Sequence, residues 1–471
     1  MNRVLLLSPP FVKDYMRNAR CDFVSLSRSQ WYPIWLGYLG CFLEQHGYEV
    51  ELIDAPSYAL DRQASLARCA AWRPDFLVVY SGRLSEDNDV AFVEELARAL
   101  DVPGVFVGPY ASIDPQRLAL KIAARANLAR FARVVRGEFE LPVLELLQGR
   151  QHEQIANLCY ADGDTVKENP QRPKLDRQTL DSFPFLSDFF ARHLDLRRYR
   201  TPSEHYPFID IMTGRGCSWG HCTYCLWVHT FVTGACYNSR SPACVAEELL
   251  FIQNSLPAVR SVMLQDDTLT AARAQELSQA FLDARCRIPW SCYCRADLDI
   301  ETMRLMKRAG CRNAHVGYES ANPEILKRIK KGVSVERMTR FTAEAKQAGL
   351  HIHGDFAIGF PGETKASAQA TIDWACKLRP HTAQFQLMIP FPGTPFHREL
   401  EEQGLLVAGM PNYPDASAEE LEQLAKKAYR RYYLSGWFAW RVLTHPRELF
   451  FSRLGTYARA IPSIFWKKYV R

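Results

Sequence analysis

Short apolar runs recur along the first 140 residues, each closed by proline, glycine or a polar cluster. Arg3-Val-Leu-Leu-Leu-Ser8 is stopped by Pro9-Pro10, and Glu49-Val-Glu-Leu-Ile-Asp54, Asp75-Phe-Leu-Val-Val-Tyr80, Gly104-Val-Phe-Val-Gly108 and Arg133-Val-Val-Arg136 repeat the pattern. Their length and β-branched content predict buried strands. Between them, 35–44, 64–72, 91–100 and 117–129 carry apolar residues at helical spacing, and Gly47 ends the first of these. Alternation of this kind predicts a parallel, doubly wound, Rossmann-like sheet over residues 1–150. Its ligand-facing positions lie beyond the strand carboxyl ends, at Ser8 to Pro10, Ser81 to Arg83, Gly108, Pro109 and Tyr110 to Ser112, and Gly137 with Glu138. No Gly-x-Gly-x-x-Gly follows the first strand and no Walker-type loop is present, which argues against a dinucleotide or a nucleoside triphosphate there.

The pattern changes at residues 151–204. Breakers dominate in Asp162-Gly-Asp-Thr-Val-Lys-Glu-Asn-Pro-Gln-Arg-Pro173 and Leu180-Asp-Ser-Phe-Pro-Phe185, and predict an extended linker on the surface. Alternation resumes over 205–405. Phe208-Ile-Asp-Ile-Met212, Arg260-Ser-Val-Met-Leu264, Ile288-Pro-Trp-Ser-Cys-Tyr-Cys294, Arg312-Asn-Ala-His-Val-Gly317, Ile352-His-Gly-Asp-Phe-Ala-Ile358 and Thr382-Ala-Gln-Phe-Gln-Leu-Met388 give six strand units, with helical stretches between them. Six βα units predict a partial (β/α)6 TIM-type barrel, with polar clusters at the carboxyl ends where barrel chemistry is placed. Residues 406–471 predict a helical region opened by a capping-box pattern at Ser417 and broken at Pro446 and Pro462.

Composition narrows the class. A chain of 471 residues with 47% hydrophobic and 23% charged residues is a folded protein of two or three domains. No uninterrupted apolar stretch reaches spanning length and the N-terminal apolar run is too short for a signal peptide, so a cytoplasmic location is expected. Fourteen cysteines then read as thiols or ligands rather than disulfides, with Cys41, Cys69 and Cys376 as core residues and the Cys292/Cys294 pair as packing. The net charge of +6 is concentrated in the tail, where eleven Lys or Arg from Lys426 onward face one acid, Glu448, among Tyr432, Tyr433, Trp437, Phe438, Trp440, Phe450, Phe451, Phe465 and Trp466. Such interleaving suits peripheral contact with a membrane or an anionic substrate, and equally a helical cap whose aromatics pack on the barrel.

The chemistry centres on Cys217-Ser-Trp-Gly-His-Cys222-Thr-Tyr-Cys225, just after the first barrel strand. Three thiolates leave one coordination position open, whereas a structural site wants four ligands; a zinc knuckle completed by His221, His229 or Cys236 is the alternative on spacing alone. A zinc knuckle leaves the clusters at Asp266 and Asp267, Arg295 and Glu319 unexplained.

The spacing Cys-x4-Cys-x2-Cys resembles the motif of the radical S-adenosylmethionine (SAM) superfamily, with one residue more between the first pair than its usual form. That resemblance implies a [4Fe–4S] cluster on Cys217, Cys222 and Cys225, with SAM on the fourth iron. It further implies SAM contacts from Tyr224 beside the adenine, Asp266 and Asp267 on the ammonium or ribose, Arg295 on the carboxylate and Glu319 on the ribose. The extra residue predicts a bulge over 218–221 accommodated by Gly220.

The first 150 residues resemble the cobalamin-binding domain upstream of many such modules. By position, Ser8, Pro10, Ser81, Gly108, Pro109, Tyr110, Gly137 and Glu138 would surround the corrin. The Gly-Gly-x-His-x-Ser/Thr loop of that domain is matched in part by Val107-Gly-Pro-Tyr-Ala-Ser112, with Tyr110 in place of histidine, and the Asp-x-His-x-x-Gly motif is absent.

The family resemblance implies C-methylation of an unactivated carbon in a small-molecule or lipid substrate, fed by an external electron donor such as flavodoxin or ferredoxin. Radical rearrangement, cyclisation or ring contraction is the alternative within the family. An iron–sulfur sensor or a nucleic-acid-binding zinc protein is the alternative outside it. Nucleic acid is not expected as a partner, since no oligonucleotide-binding barrel or long basic domain accompanies the core, and no residue is singled out as catalytic.

Overall fold

The computed structural model describes residues 2–17, 19–20, 22–25, 28–163, 165–201, 203–231 and 233–445. The chain divides into two compact units, one of Met1–Ser25, Ser29–Tyr199 and Thr230–Val232, the other of Leu26–Arg28, Arg200–His229 and Thr233–Arg471.

In the first unit, β1 (Arg3–Ser8), β2 (Glu49–Asp54), β3 (Phe76–Tyr80), β4 (Gly104–Val107), β5 (Arg133–Val135), β6 (Leu158–Asp162) and β7 (Thr165–Glu168) form one sheet in the order β2-β1-β3-β4-β5-β6-β7. The pairings from β2 through β5 are parallel, and the last two are antiparallel. Val4, Leu5, Leu6 and Leu7 are all fully buried, because helices cover both faces and every side chain of the strand must be apolar. The chain order reverses between β1 and β3, the crevice where a doubly wound sheet binds its ligand.

The stretch 151–204, expected as a surface linker, is instead part of this unit. The β6–β7 hairpin extends the sheet, and the helix Leu186–His193 buries Leu186, Phe189 and Phe190. Those rings fit because the helix Ile34–Gln45 carries glycine where they land: a Cβ on Gly37 would lie 2.5 Å from the Phe190 ring, and one on Gly40 2.2 Å from Phe189. Each buried ring is worth about 2–3 kcal/mol. Arg192 and His193 pair with Glu44, and Tyr199 stacks on Tyr32 at 4.1 Å while donating to Asp54 at 3.1 Å. A tether would make none of these contacts.

The second unit is built on β8 (Phe208–Ile211), β9 (Ser261–Leu269), β10 (Trp290–Cys294), β11 (Cys311–Glu319), β12 (His351–Ile358) and β13 (Thr382–Leu387), all parallel and in chain order. This is an open half-barrel with β8 and β13 at its edges. Side-chain caps start its helices: Ser241, Thr270, Asp299, Ser334 and Thr364 each accept an amide hydrogen of the first turn. Cys292 and Cys294 are buried, in keeping with packing.

The expected capping box forms at Ser417 and Glu420 and opens the helix Ala418–Tyr433. That helix protects the β13 edge, because the Tyr433 hydroxyl accepts from Ala383 N–H at 3.0 Å and donates to its carbonyl at 2.7 Å. Tyr432 and Phe438 are buried in the same packing, whereas Trp440 and Leu443 of the helix Gly436–Thr444 are exposed. The expectations for Pro446, Glu448, Phe450, Phe451, Pro462, Phe465 and Trp466 lie outside the described residues. No helix among the described residues is long and apolar enough to cross a membrane.

Candidate active site

The chain leaves β8 at Ile211 and enters the cysteine loop through Thr213, which is fastened to β9. The Asp266 carboxylate accepts from Thr213 N–H, the Thr213 hydroxyl and the Tyr237 hydroxyl, each at 2.6 Å. It is 0% exposed. Next to it, Asp267 accepts from Gly216 N–H at 3.0 Å. Arg273 reaches across to the carbonyls of Thr213 (3.0 Å) and Arg240 (2.8 Å), and Gly214–Arg215 pairs antiparallel with Asn238–Ser239. The base of the loop is thereby fastened to β9 and to the helix Ala271–Asp283.

Gly220 carries the bulge, as expected: its φ is +64°, and a Cβ there would lie 2.3 Å from the Ala235 backbone. Trp219 donates its indole N–H to the Lys330 carbonyl at 2.9 Å, and the Arg295 guanidinium lies 4.5 Å from the centre of its ring. Thr223 N–H donates to the Ile329 carbonyl at 3.1 Å.

Burial raises the Cys222 thiol and pushes Cys225 up to about 12, and the neighbouring loop cysteines act in the same direction. Thiolate at these positions calls for a cationic partner, which iron supplies. His229 has a ring nitrogen 3.0 Å from the Cys222 carbonyl oxygen, and His221 lies edge-on to Trp219.

At the end of β11, Glu319 adopts φ +62° and turns its carboxylate to the loop. One oxygen accepts from Tyr224 at 2.8 Å and from Lys331 at 2.9 Å. Burial works against the Lys331 charge, but Glu319 and the Cys222 sulfur outweigh it and hold the ammonium above its ordinary value. Arg295 bonds Asp297 at 2.9 Å and the Lys331 carbonyl at 3.0 Å, and Tyr224 meets the Phe360 ring edge-on at 5.0 Å.

Asp267, Arg295, Glu319 and Tyr224 are thus tied to the cysteine loop or to the residues bracing it. Asp266 is not available to a ligand. Both its oxygens are committed inside the protein, so the expectation that it contacts SAM is corrected to that of a positioning residue.

In the first unit, a buried ion pair at 2.8 Å between Arg17 and Asp89 stitches the ends of β1 and β3. Arg17 also donates to Ser8 Oγ, the Pro9 carbonyl and Ser85 Oγ, each at 2.9 Å. Asn88 donates to the Pro10 carbonyl at 2.7 Å, and Tyr15 donates to Asp22 at 2.6 Å. Ser112 joins the next two loops, donating to the Gly108 carbonyl at 2.9 Å and accepting from Gly137 N–H at 2.8 Å. Pro109 accepts from Ser112 N–H at 3.2 Å, and burial raises the Tyr110 phenol.

Ser81 stands apart, for its hydroxyl is buried (1% exposed) and has no partner among the described residues. A buried polar group left unpaired costs about 1–3 kcal/mol, so this hydroxyl is free to bond a water or a ligand at the β3 end. Glu138 was expected at the corrin, but its carboxylate accepts from Leu175 N–H at 2.9 Å and its carbonyl from Asn157 at 3.1 Å. These contacts hold the loop.

Residues 211–375 match the family model of the Radical SAM superfamily. The match runs from the end of β8 into the helix Lys365–Leu378 and takes in the cysteine loop. Over 422 residues the chain is 29% identical to an uncharacterized methyltransferase, PH0819, of Pyrococcus horikoshii, covering 85% of this chain and 88% of that protein. It is 26% identical to the cytidylyl-2-hydroxyethylphosphonate methyltransferase of Streptomyces wedmorensis, covering 91% and 89%. Its fold is shared with the radical SAM methyltransferase TsrM of Kitasatospora setae, solved with cobalamin and a [4Fe–4S] cluster, at 22% identity, a TM-score of 0.65 and coverage of 90% and 85%.

A radical SAM domain implies a [4Fe–4S] cluster and SAM, and the three-cysteine loop fits that pair. Sequence reasoning missed Lys331, Trp219 and Tyr237 within the radical SAM unit. Trp219, inside the cysteine loop, and Tyr237, one residue after Cys236, each carried a local signal. Lys331 follows a short helix in a Lys-Lys-Gly run that reads as solvated surface.

Proposed function

We propose that this radical SAM enzyme is a cobalamin-dependent methyltransferase acting on an unactivated carbon of a small molecule or lipid. The observation that carries the reading is that one chain joins a braced three-cysteine loop to a doubly wound unit whose β3 end holds an unpartnered buried hydroxyl, Ser81. Similarity to methyltransferases over most of the chain supports it.

Cys217, Cys222 and Cys225 would hold the cluster, and Tyr224, Asp267, Arg295 and Glu319 would order SAM beside it. Ser8, Pro10, Ser81, Gly108, Pro109, Tyr110 and Gly137 would line the corrin. When bound, the cluster and SAM supply a 5′-deoxyadenosyl radical and cobalamin supplies a methyl group. The chain's own work is orientation and exclusion of water: Asp266 and Arg273 fix the loop, while Glu319 keeps Lys331 charged and Tyr224 in place. A one-electron donor such as flavodoxin or ferredoxin completes the system.

The test is anaerobic reconstitution with hydroxocobalamin, reduction, and addition of SAM. One corrin per chain is expected, with conversion to methylcobalamin and one S-adenosylhomocysteine per methyl. Ser81→Ala should loosen the corrin about tenfold with the fold intact. Failure to retain corrin at stoichiometric loading would remove cobalamin from the account.

A further inference from the structure

A second group of ligating side chains lies inside the half-barrel, away from the cysteine loop. Tyr318 on β11 and Phe356 on β12 pack outward against Trp374 of the helix Lys365–Leu378. Side chains alternate along a strand, so His315, His353 and Asp355 take the concave face. Register brings them together: His315 pairs with His353, and His353 with Thr382.

One ring nitrogen from each histidine and one Asp355 oxygen all lie within 4.8 Å of one another. His353 Nε2 and Asp355 Oδ1 are 3.4 Å apart, and the imidazole centroids 4.7 Å. Thr382 Oγ1, 2.7 Å from His353 Nδ1, fixes the ring and leaves Nε2 for a ligand. This is the outer-shell bond that metal-binding histidines make.

Beside them, Glu204 Oε1 is 3.7 Å from His315 Nε2. Its other oxygen accepts from Ser291 at 2.9 Å and Ser261 at 3.2 Å, and Arg312 lies 3.5 Å away. Two residues before His315 on the same strand face, the Asn313 side-chain nitrogen is buried (3% exposed) with no partner among the described residues.

We propose that His315, His353 and Asp355 bind a single divalent first-row transition ion whose open positions take an oxyanion of the substrate. Two imidazoles and a carboxylate suit zinc, manganese or ferrous iron, and three protein ligands leave room for an exogenous oxygen. Metal–ligand bonds of about 2.1 Å require the donors to close by about 1 Å, within reach of side-chain rotation. His315 precedes Glu319 by four residues, roughly 13 Å along the strand. An ion there would anchor the anionic end of a substrate whose other end reaches the rim of the barrel. The site does not depend on the methyl-transfer reading.

The test uses reconstituted holoenzyme with its cluster in the EPR-silent oxidised state. Manganese(II) is titrated while the six-line signal of the free ion is followed, with zinc as competitor. One ion per chain is expected, displaced by zinc. His353→Gln and Asp355→Asn should weaken binding at least tenfold, and Thr382→Val to a smaller extent, with iron content unchanged. Inorganic phosphate added to the manganese-loaded enzyme should give a 31P coupling in ENDOR spectra. No stoichiometric ion in the wild-type enzyme, or equal binding in either ligand variant, would overturn the site. A bound ion without phosphorus coupling would overturn its oxyanion role. Should a ligand variant fail to fold, the wild-type stoichiometry and Thr382→Val decide between the outcomes.

Discussion

Tyr224 donates its hydroxyl to Glu319 across 2.8 Å, joining the residue between the last two loop cysteines to the end of the fourth barrel strand. The same carboxylate holds Lys331, so one side chain sets both the loop and a buried positive charge beside it. Glu319→Gln keeps the shape but removes the charge, leaving the buried Lys331 without its carboxylate partner. Reductive SAM cleavage, read as 5′-deoxyadenosine by chromatography, should fall ten- to a hundredfold, about 1.4–3 kcal/mol. Tyr224→Phe, which removes one neutral donor, should cost about 1 kcal/mol.

Asp266→Asn and Asp267→Asn separate holding the loop from touching a ligand. Asp266 accepts three hydrogen bonds with no exposure, and its amide would set a donor against donors. Iron content after reconstitution should drop severalfold for Asp266→Asn and stay near wild type for Asp267→Asn. Equal iron loss in both would contradict the positioning role.

Acid should destabilise the second unit through His381. Burial first, then His351 and Arg441, lower its pKa from the ordinary 6.5 to about 2, and its Nδ1 accepts from Ile352 N–H at 3.1 Å. Above about pH 6.5 neither the folded nor the unfolded chain protonates it, so it adds no pH dependence. Below that, the unfolded chain takes up a proton that the folded one refuses. Stability then falls with pH by at most about 1.4 kcal/mol per unit. Urea midpoints should decline from about pH 6.5 downward, and His381→Gln should flatten that decline.

The strands and the cysteine loop were legible because their signals are local. A strand buried on both faces must be apolar throughout, and three thiols within nine residues declare themselves. What was lost depends on partners distant in the chain. Strand β7, Thr-Val-Lys-Glu, is largely exposed and has no apolar pattern, so the hairpin that ends the first sheet read as linker. Phe189 and Phe190 look incidental until Gly37 and Gly40 open a seat for them. Neighbouring acids at 266 and 267 look alike in sequence, yet one is fully buried and braces Thr213 while the other reaches Gly216. His315 and His353 become neighbours only through strand register.

The most direct test of the central claim is SAM cleavage by Cys225→Ala beside the wild type, both reconstituted anaerobically with iron and sulfide and reduced with dithionite. Wild-type protein should bind four irons per chain and release 5′-deoxyadenosine and methionine from SAM in equal amounts. Cys225→Ala should release neither above background. Cleavage retained in Cys225→Ala, or none by fully iron-loaded wild-type protein, would contradict the assignment.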